Sequence, residues 1–331
     1  MWKWLRTVLA CSLMISLAMP SLASAEETLE IKLATLAPLR SPWGQVFQRA
    51  KREVQERTNG AVRIRIYAGG SRGDEKVMVR KMRSGQLHAA AITSVGLSHI
   101  AKEVLVLQAP GLIRNNRQLD HVRGALSERF ERALYEQGFV LLGWGDVGKT
   151  YLMSSHPVRN PSDLVDAKPW VWESDPVFGS LYRQVNAQAT PLPVPDVLQG
   201  LSNNVIETFY ASPVAAVALQ WHPHVRYINS KLITIGVGAT VVSRDMWERA
   251  TEEQRGIISE VTSKWHGVLK TKVRRMNSSA LSTLRERGAE IVQGDSALWE
   301  RLFTRVQNDL VGRIYSQELL NEVRTLVRQV R

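Results

Sequence analysis

The sequence predicts an α/β protein of two interwoven domains braced by one long helix. Near the start, apolar residues alternate with polar ones, shift to helical spacing, then alternate again, the pattern of a strand-helix-strand unit. After Thr251, helical spacing persists for longer than one small domain is wide. The body of the chain has no apolar run of about 20 residues, so its 44% hydrophobic content points to a buried core rather than to membrane spans.

The elements follow in order. Leu29, Ile31 and Leu33 alternate with polar neighbours as a strand. Ser41-Pro42-Trp43 opens a helix, with serine as N-cap and proline in the first turn. Phe47, Ala50 and Val54 form its apolar face, and Asn59-Gly60 stops it. Alternation resumes at 61–67, a helix is expected at 75–84, and an apolar strand at 89–92. Further strands are expected at 139–143 and 151–154, another after 164 ending at 172, a helix at 176–185, and a turn with a short strand at 199–209. Thr251 and Gln254 form a capping-box pattern. Ile257, Ile258, Val261, Trp265, Val268, Val273, Leu281 and Leu284 then keep helical spacing as far as Gly288. A helix over 252–287 is about 54 Å long at 1.5 Å per residue, enough to cross both domains.

The chain has 331 residues, 43 Lys and Arg against 31 Asp and Glu, and one cysteine. Its first 25 residues read as an export signal. Lys3 and Arg6 are the basic start, 7–19 the apolar stretch, and Ala23-Ser24-Ala25 the small-x-small cleavage pattern. Cleavage after Ala25 removes Lys3, Arg6 and Cys11, and takes the formal net charge from +12 to +10. The remaining chain has no thiol for a disulfide, a metal site or a nucleophile. The expected location is the periplasm. Nucleic acid is not an expected partner, because no groove-reading or stacking module is present and the chain is exported.

Gly143-Trp144-Gly145-Asp146-Val147-Gly148-Lys149-Thr150 spells the phosphate-loop pattern G-x-x-x-x-G-K-T. Such a loop must open a helix whose N-terminus faces the phosphates. Here β-prone residues and Pro157 follow, so the run is read as a glycine-rich crossover. His222 and His224 flank Pro223 in what is read as a capped loop rather than a metal site. The basic run 270–275 is read as a solvated helix face. No nucleophile-base, metal or cofactor constellation appears, so no enzyme activity is expected.

From Glu30 onward the chain resembles the solute receptors of tripartite ATP-independent periplasmic (TRAP) transporters, the DctP-like family. The resemblance rests on Ser41-Pro42-Trp43, Tyr67 with Gly69-Gly70 and Gly73-Asp74, Lys81-Met82 with Ser84-Gly85-Gln86-Leu87, and Pro161-Ser162-Asp163-Leu164. It continues through Thr190-Pro191-Leu192-Pro193, Gly200-Leu201, Ser212-Pro213 and the segment from Trp247 to Gln254. It implies a two-domain periplasmic binding protein with a ligand cleft between the domains, closing on a small molecule by a hinge. The implied division is 26–148 with about 236–274, and 149–235 with about 275–331. The implied partners are the membrane permease subunits of the transporter and, in some systems, an accessory periplasmic protein.

The pocket departs from the family pattern. Acid-binding members typically read K-x-R-V on the central strand, and the arginine grips a carboxylate. Here the strand reads Lys168-Pro169-Trp170-Val171-Trp172, with Trp170 at the arginine position. A second family arginine falls at Thr150, next to Lys149. The family's D-G-x-E-N reads Glu207-Thr208-Phe209-Tyr210-Ala211, so Tyr210 replaces glutamate and Ala211 asparagine. Ala37 and Thr93 stand where some members have asparagine and glutamate, and Val194 where an aromatic is common. Glu173 offers a partner for a cationic group beside Trp172. Loss of arginine and gain of aromatic surface lead to an expected ligand that is apolar, aromatic or amphipathic. An organic acid held by other polar contacts, and a sensor that signals to a membrane protein, remain open alternatives. An exported enzyme stands behind both.

Overall fold

The computed structural model describes residues 28–330, and the expected signal peptide at 1–25 lies outside them. Among the described residues there are ten strands: β1 (Leu29–Thr35), β2 (Val62–Tyr67), β3 (Ala89–Thr93), β4 (Phe139–Ser154), β5 (Trp170–Trp172), β6 (Thr190–Leu192), β7 (Thr208–Ala211), β8 (Tyr227–Asn229), β9 (Thr234–Ser243) and β10 (Glu290–Val292). Eight of them form one sheet in the order β10-β8-β4-β9-β3-β1-β2, with β7 also pairing to β4.

The opening unit follows its sequence pattern. β1 pairs in parallel with β2 and β3, through the helices Pro42–Arg57 and Glu75–Arg83. Ser41 caps the first helix, its hydroxyl accepting from the Gly44 amide at 3.1 Å. Asn59 (φ 49°) and Gly60 (φ 83°) turn the chain out of it.

The two strands expected at 139–143 and 151–154 are one strand. β4 runs unbroken for 16 residues, and the phosphate-loop lookalike lies inside it. Register shifts at Leu141/Gly143 and Asp146/Gly148 let it bend and continue. At the second shift Gly148 has φ +112°, and a Cβ there would meet Asn277 Oδ1 at 2.5 Å, so only glycine fits. Its partner β9 has no counterpart among the expected strands. Nine of its ten residues are buried, so it lacks polar-apolar alternation. Up to Thr150 β4 pairs with β9, and from Tyr151 it pairs with β7 and β8.

Residues 170–172 are not a central strand of the large sheet. They pair only with β6 in a separate two-stranded sheet. Pro169 just before them cannot donate to a ladder, which fits proline to an edge position.

The long helix is Glu252–Glu286, 35 residues, with both halves of the Thr251/Gln254 capping box formed. Its Leu269 and Val273 form a buried cluster with Val46 of the first helix and Val214 of helix Pro213–Ala218. Its basic run is not simply a solvated face. Arg274 bonds Asp120 at 2.7 Å and Asp146 at 2.6 Å, and Lys272 bonds Gln45 at 2.6 Å. The helix lies across β4 there, which brings these side chains over acidic and amide partners.

Candidate functional site

A cavity of about 180 Å³ lies where the large sheet meets the β5 segment. One wall comes from the end of β1 with Ala37, the first helix with Trp43 and Phe47, and the end of β3 with Thr93. The floor is the middle of β4 and β9, where Gly145, Gly236 and Gly238 leave the strands low. The far wall is Trp170, Trp172, Phe178, Tyr210, Ala211 and Trp221.

The far wall is built from stacked rings. Trp172 stacks on Trp170 with centroids 6.5 Å apart, Trp170 on Tyr210 at 4.8 Å, and Tyr210 on Phe178 at 3.4 Å. Trp221 meets Trp170 edge-on at 5.4 Å. Such pairs add about 0.5–1.5 kcal/mol each beyond their area burial. Polar atoms lock the rings. The Trp170 indole donates to the Leu192 carbonyl at 3.0 Å, and the Trp43 indole to the Asp146 carbonyl at 3.0 Å. The Tyr210 hydroxyl accepts from the Trp172 amide at 3.1 Å and donates to Asp175 at 2.9 Å. Asp175 caps helix Pro176–Arg183, accepting from the Val177 and Phe178 amides.

The acids and histidine that line the cavity are Glu75, Asp146, Asp175 and His266, Tyr210 is the titratable phenol among its rings, and among the described residues no lysine or arginine lines it. Asp146 is already paired, with Arg123 at 2.9 Å and Arg274 at 2.6 Å. Glu75, 1% exposed, accepts from the Thr93 amide at 2.8 Å, the Thr93 hydroxyl at 2.7 Å and the Gly96 amide at 2.9 Å. Burial nevertheless pushes its carboxyl up to about 8. Burial likewise pushes Asp175 up to about 6 against the Tyr210 hydroxyl and two amides. His266 is held down to about 4 by burial, with Nε2 at 3.0 Å from the Thr240 hydroxyl.

Of the residues singled out from sequence, Ala37, Thr93, Thr150, Trp170, Trp172, Val194, Tyr210 and Ala211 line this cavity. Lys149, Glu173 and Phe209 do not. Successive residues of a strand face opposite ways, so Lys149 points away where Thr150 points in; on β7 Phe209 is turned behind the wall, while Tyr210 and, at the strand's end, Ala211 both reach the cavity. Phe209 packs edge-on against Trp221 behind the wall, at 5.4 Å. Glu173 is exposed, one residue past Trp172. Sequence reasoning missed Trp43, Glu75, Asp175, Phe178 and Trp221. Asp175-Pro176 carried a legible signal, an N-cap followed by a helix-opening proline.

A family model described as bacterial extracellular solute-binding protein, family 7 (DctP) matches residues 33–313. The chain belongs to this family. A solute-binding protein of Chromohalobacter salexigens is 25% identical over 225 residues, covering 67% of each chain. Solved structures extend the likeness. A TRAP periplasmic solute-binding protein from Xanthobacter autotrophicus Py2, with bound β-D-galacturonate, superposes with a TM-score of 0.83 at 19% identity, over 89% of this chain and 99% of that one. Another from Chromohalobacter salexigens, with bound D-glucuronate, gives 0.82 at 20% identity, over 91% and 100%. These superpositions establish the TRAP-receptor fold for the DctP-family chain described here.

Proposed function

We propose that this protein is the receptor of a TRAP transporter, and that it captures a small solute with a mainly apolar or aromatic body. It is exported by the signal at 1–25, works in the periplasm, and hands its ligand to the membrane permease subunits. Its two lobes divide at about 148/149, 235/236 and 274/275, and they close on the ligand. Closure converts ligand contacts into a population shift, since the closed form is the one in which both walls are touched.

One observation carries the ligand class. The cavity wall is a four-ring stack, and no described lysine or arginine stands on it. A carboxylate entering this space would find no charge-assisted partner, each such bond being worth about 1.5–3 kcal/mol. An apolar body gains about 25 cal/mol for each Å² it buries there. The size is suitable, since an apolar cavity of about 150 Å³ holds a benzene molecule.

The test is native mass spectrometry of protein purified from its own source, followed by solvent extraction and identification of the released molecule. An aromatic or largely apolar compound supports the reading. Tight calorimetric binding of galacturonate or glucuronate, the acids bound in the two solved structures above, overturns it.

A further inference from the structure

Resting on the receptor reading above, we infer that the ligand carries a cationic nitrogen, an ammonium or amidinium, held between Glu75 and Asp175 inside the aromatic walls.

The partners of both carboxyls are neutral. Glu75 is met by the Thr93 amide and hydroxyl and the Gly96 amide, and Asp175 by the Tyr210 hydroxyl and the Val177 and Phe178 amides. A carboxylate offers about four acceptor sites. On Glu75, Oε2 accepts two bonds and Oε1 accepts one, which leaves a site on Oε1. On Asp175, Oδ1 accepts two and Oδ2 one, which leaves a site on Oδ2. Each acid, once ionised, therefore keeps one acceptor position in hand, and in the protonated form the proton occupies it. Asp146, the third acid on the wall, does not compete, because Arg123 and Arg274 already neutralise it.

The rings point the same way. A cation over the face of tryptophan or tyrosine is attracted by the ring quadrupole, and the attraction grows when water is excluded. Trp170, Trp172 and Tyr210 lie 2–8% exposed on that wall. Trp170 and Tyr210 have both faces covered within the stack, so only the end rings Trp172 and Phe178 keep a face outside it for a cation. The two acids attract a cation and repel an anion, and they are the main source of the preference.

Charge on the wall would respond to the ligand. Burial keeps Glu75 up to about 8 and Asp175 up to about 6, so the pair holds part of its protons at neutral pH. Asp74 is the charged neighbour of Glu75; Tyr210 and Tyr182 are the titratable neighbours of Asp175. An entering cation lowers both carboxyls and releases protons.

The experiment compares benzylamine, benzyl alcohol and benzoate, three probes of one shape and three charges, by ligand-observed NMR titration at pH 7. Benzylamine is expected to bind at least tenfold tighter than benzyl alcohol, and benzoate most weakly. In Glu75→Gln the ratio of amine to alcohol affinity falls toward one. Asp175→Asn provides a second variant should the first fail to fold, and the wild-type order stands independently of both. Benzyl alcohol bound as tightly as benzylamine overturns the charge inference and leaves the aromatic receptor reading standing. Benzoate tightest, or no binding of benzylamine at millimolar concentration, also overturns the inference. Binding of galacturonate together with failure of benzyl alcohol overturns the underlying reading of an apolar or aromatic ligand and leaves the receptor role standing.

Discussion

The Trp172 indole donates to Asp74 Oδ2 at 2.6 Å, joining β5 to the start of helix Glu75–Arg83. Trp172 lines the cavity, and Glu75, next to Asp74, lines it from the other side. The backbone of Val194 also directs a donor at this carboxylate, and the Gly70 turn lies against Pro195. These contacts couple the far cavity wall to the opposing segment, so in the proposed hinge motion Trp172 would act as a clasp as well as a lining residue. Replacing it by phenylalanine keeps the ring and removes the donor. A hydrogen bond to a charged acceptor is worth about 1.5–3 kcal/mol, so Trp172→Phe should shift the closed-to-open ratio by about 10- to 100-fold toward open. Small-angle scattering of the ligand-free protein should show a larger radius of gyration. A scattering curve identical to wild type would remove the clasp from the account.

Trp170 carries structure as well as surface. It is 2% exposed, it stacks on two rings and meets a third edge-on, and its indole is hydrogen-bonded to Leu192. Trp170→Ala should cost about 3–5 kcal/mol, the range for tryptophan removed from a core. Urea denaturation at pH 7 measures it. A loss below about 1 kcal/mol would mean that the wall collapses onto the vacated space and that the cavity is not rigid.

Asp146 faces the cavity but its charge is used within the protein. It is 1% exposed and bonded to Arg123 from one helix and Arg274 from the long helix. Removing one partner of a buried ion pair costs about 3–5 kcal/mol because the remaining charge is left uncompensated. Asp146→Asn should lower stability by about that amount, measured by urea denaturation. A neutral effect would show that Asp120, which also bonds Arg274 at 2.7 Å, compensates alone.

How much was legible depended on whether local pattern or distant contact decided the structure. The units β1 to β3 and the capped long helix were read directly, because amphipathic period and caps act within a few residues. β9 was not, because a strand buried on both faces has no alternation to detect. The family resemblance located the wall at Trp170, Trp172 and Tyr210. Strand alternation should have separated Thr150 from Lys149, but it does not sort β7, where the neighbours Tyr210 and Ala211 both line the cavity and Phe209 does not. Glu75 and Asp175 were hidden for a different reason. An acid at a helix start reads as a cap, and only the fold brings Thr93 to Glu75, and Tyr210 to Asp175 across 35 residues.

Glu75 gives a pH signature with a sign that runs against the common carboxylate case. Burial raises its pKa from 4.5 to about 8, so the folded state keeps its proton where the unfolded chain has lost it. The stability this group contributes is complete below pH 4.5 and is lost as pH rises toward 8. Asp175 acts in the same sense, but only between 3.8 and about 6. His266, lowered from 6.5 to about 4, acts oppositely: its stability is present above 6.5 and lost as pH falls. Between pH 6.5 and 8 the Glu75 slope is therefore the one left among the cavity groups. Wild-type unfolding free energy should fall there by up to about 1.4 kcal/mol per pH unit, and Glu75→Gln should flatten the profile. Urea midpoints at half-unit steps of pH measure both. A flat wild-type profile would mean that the donors from Thr93 and Gly96 outweigh the burial cost, so that Glu75 stays ionised and meets any ligand as a full negative charge.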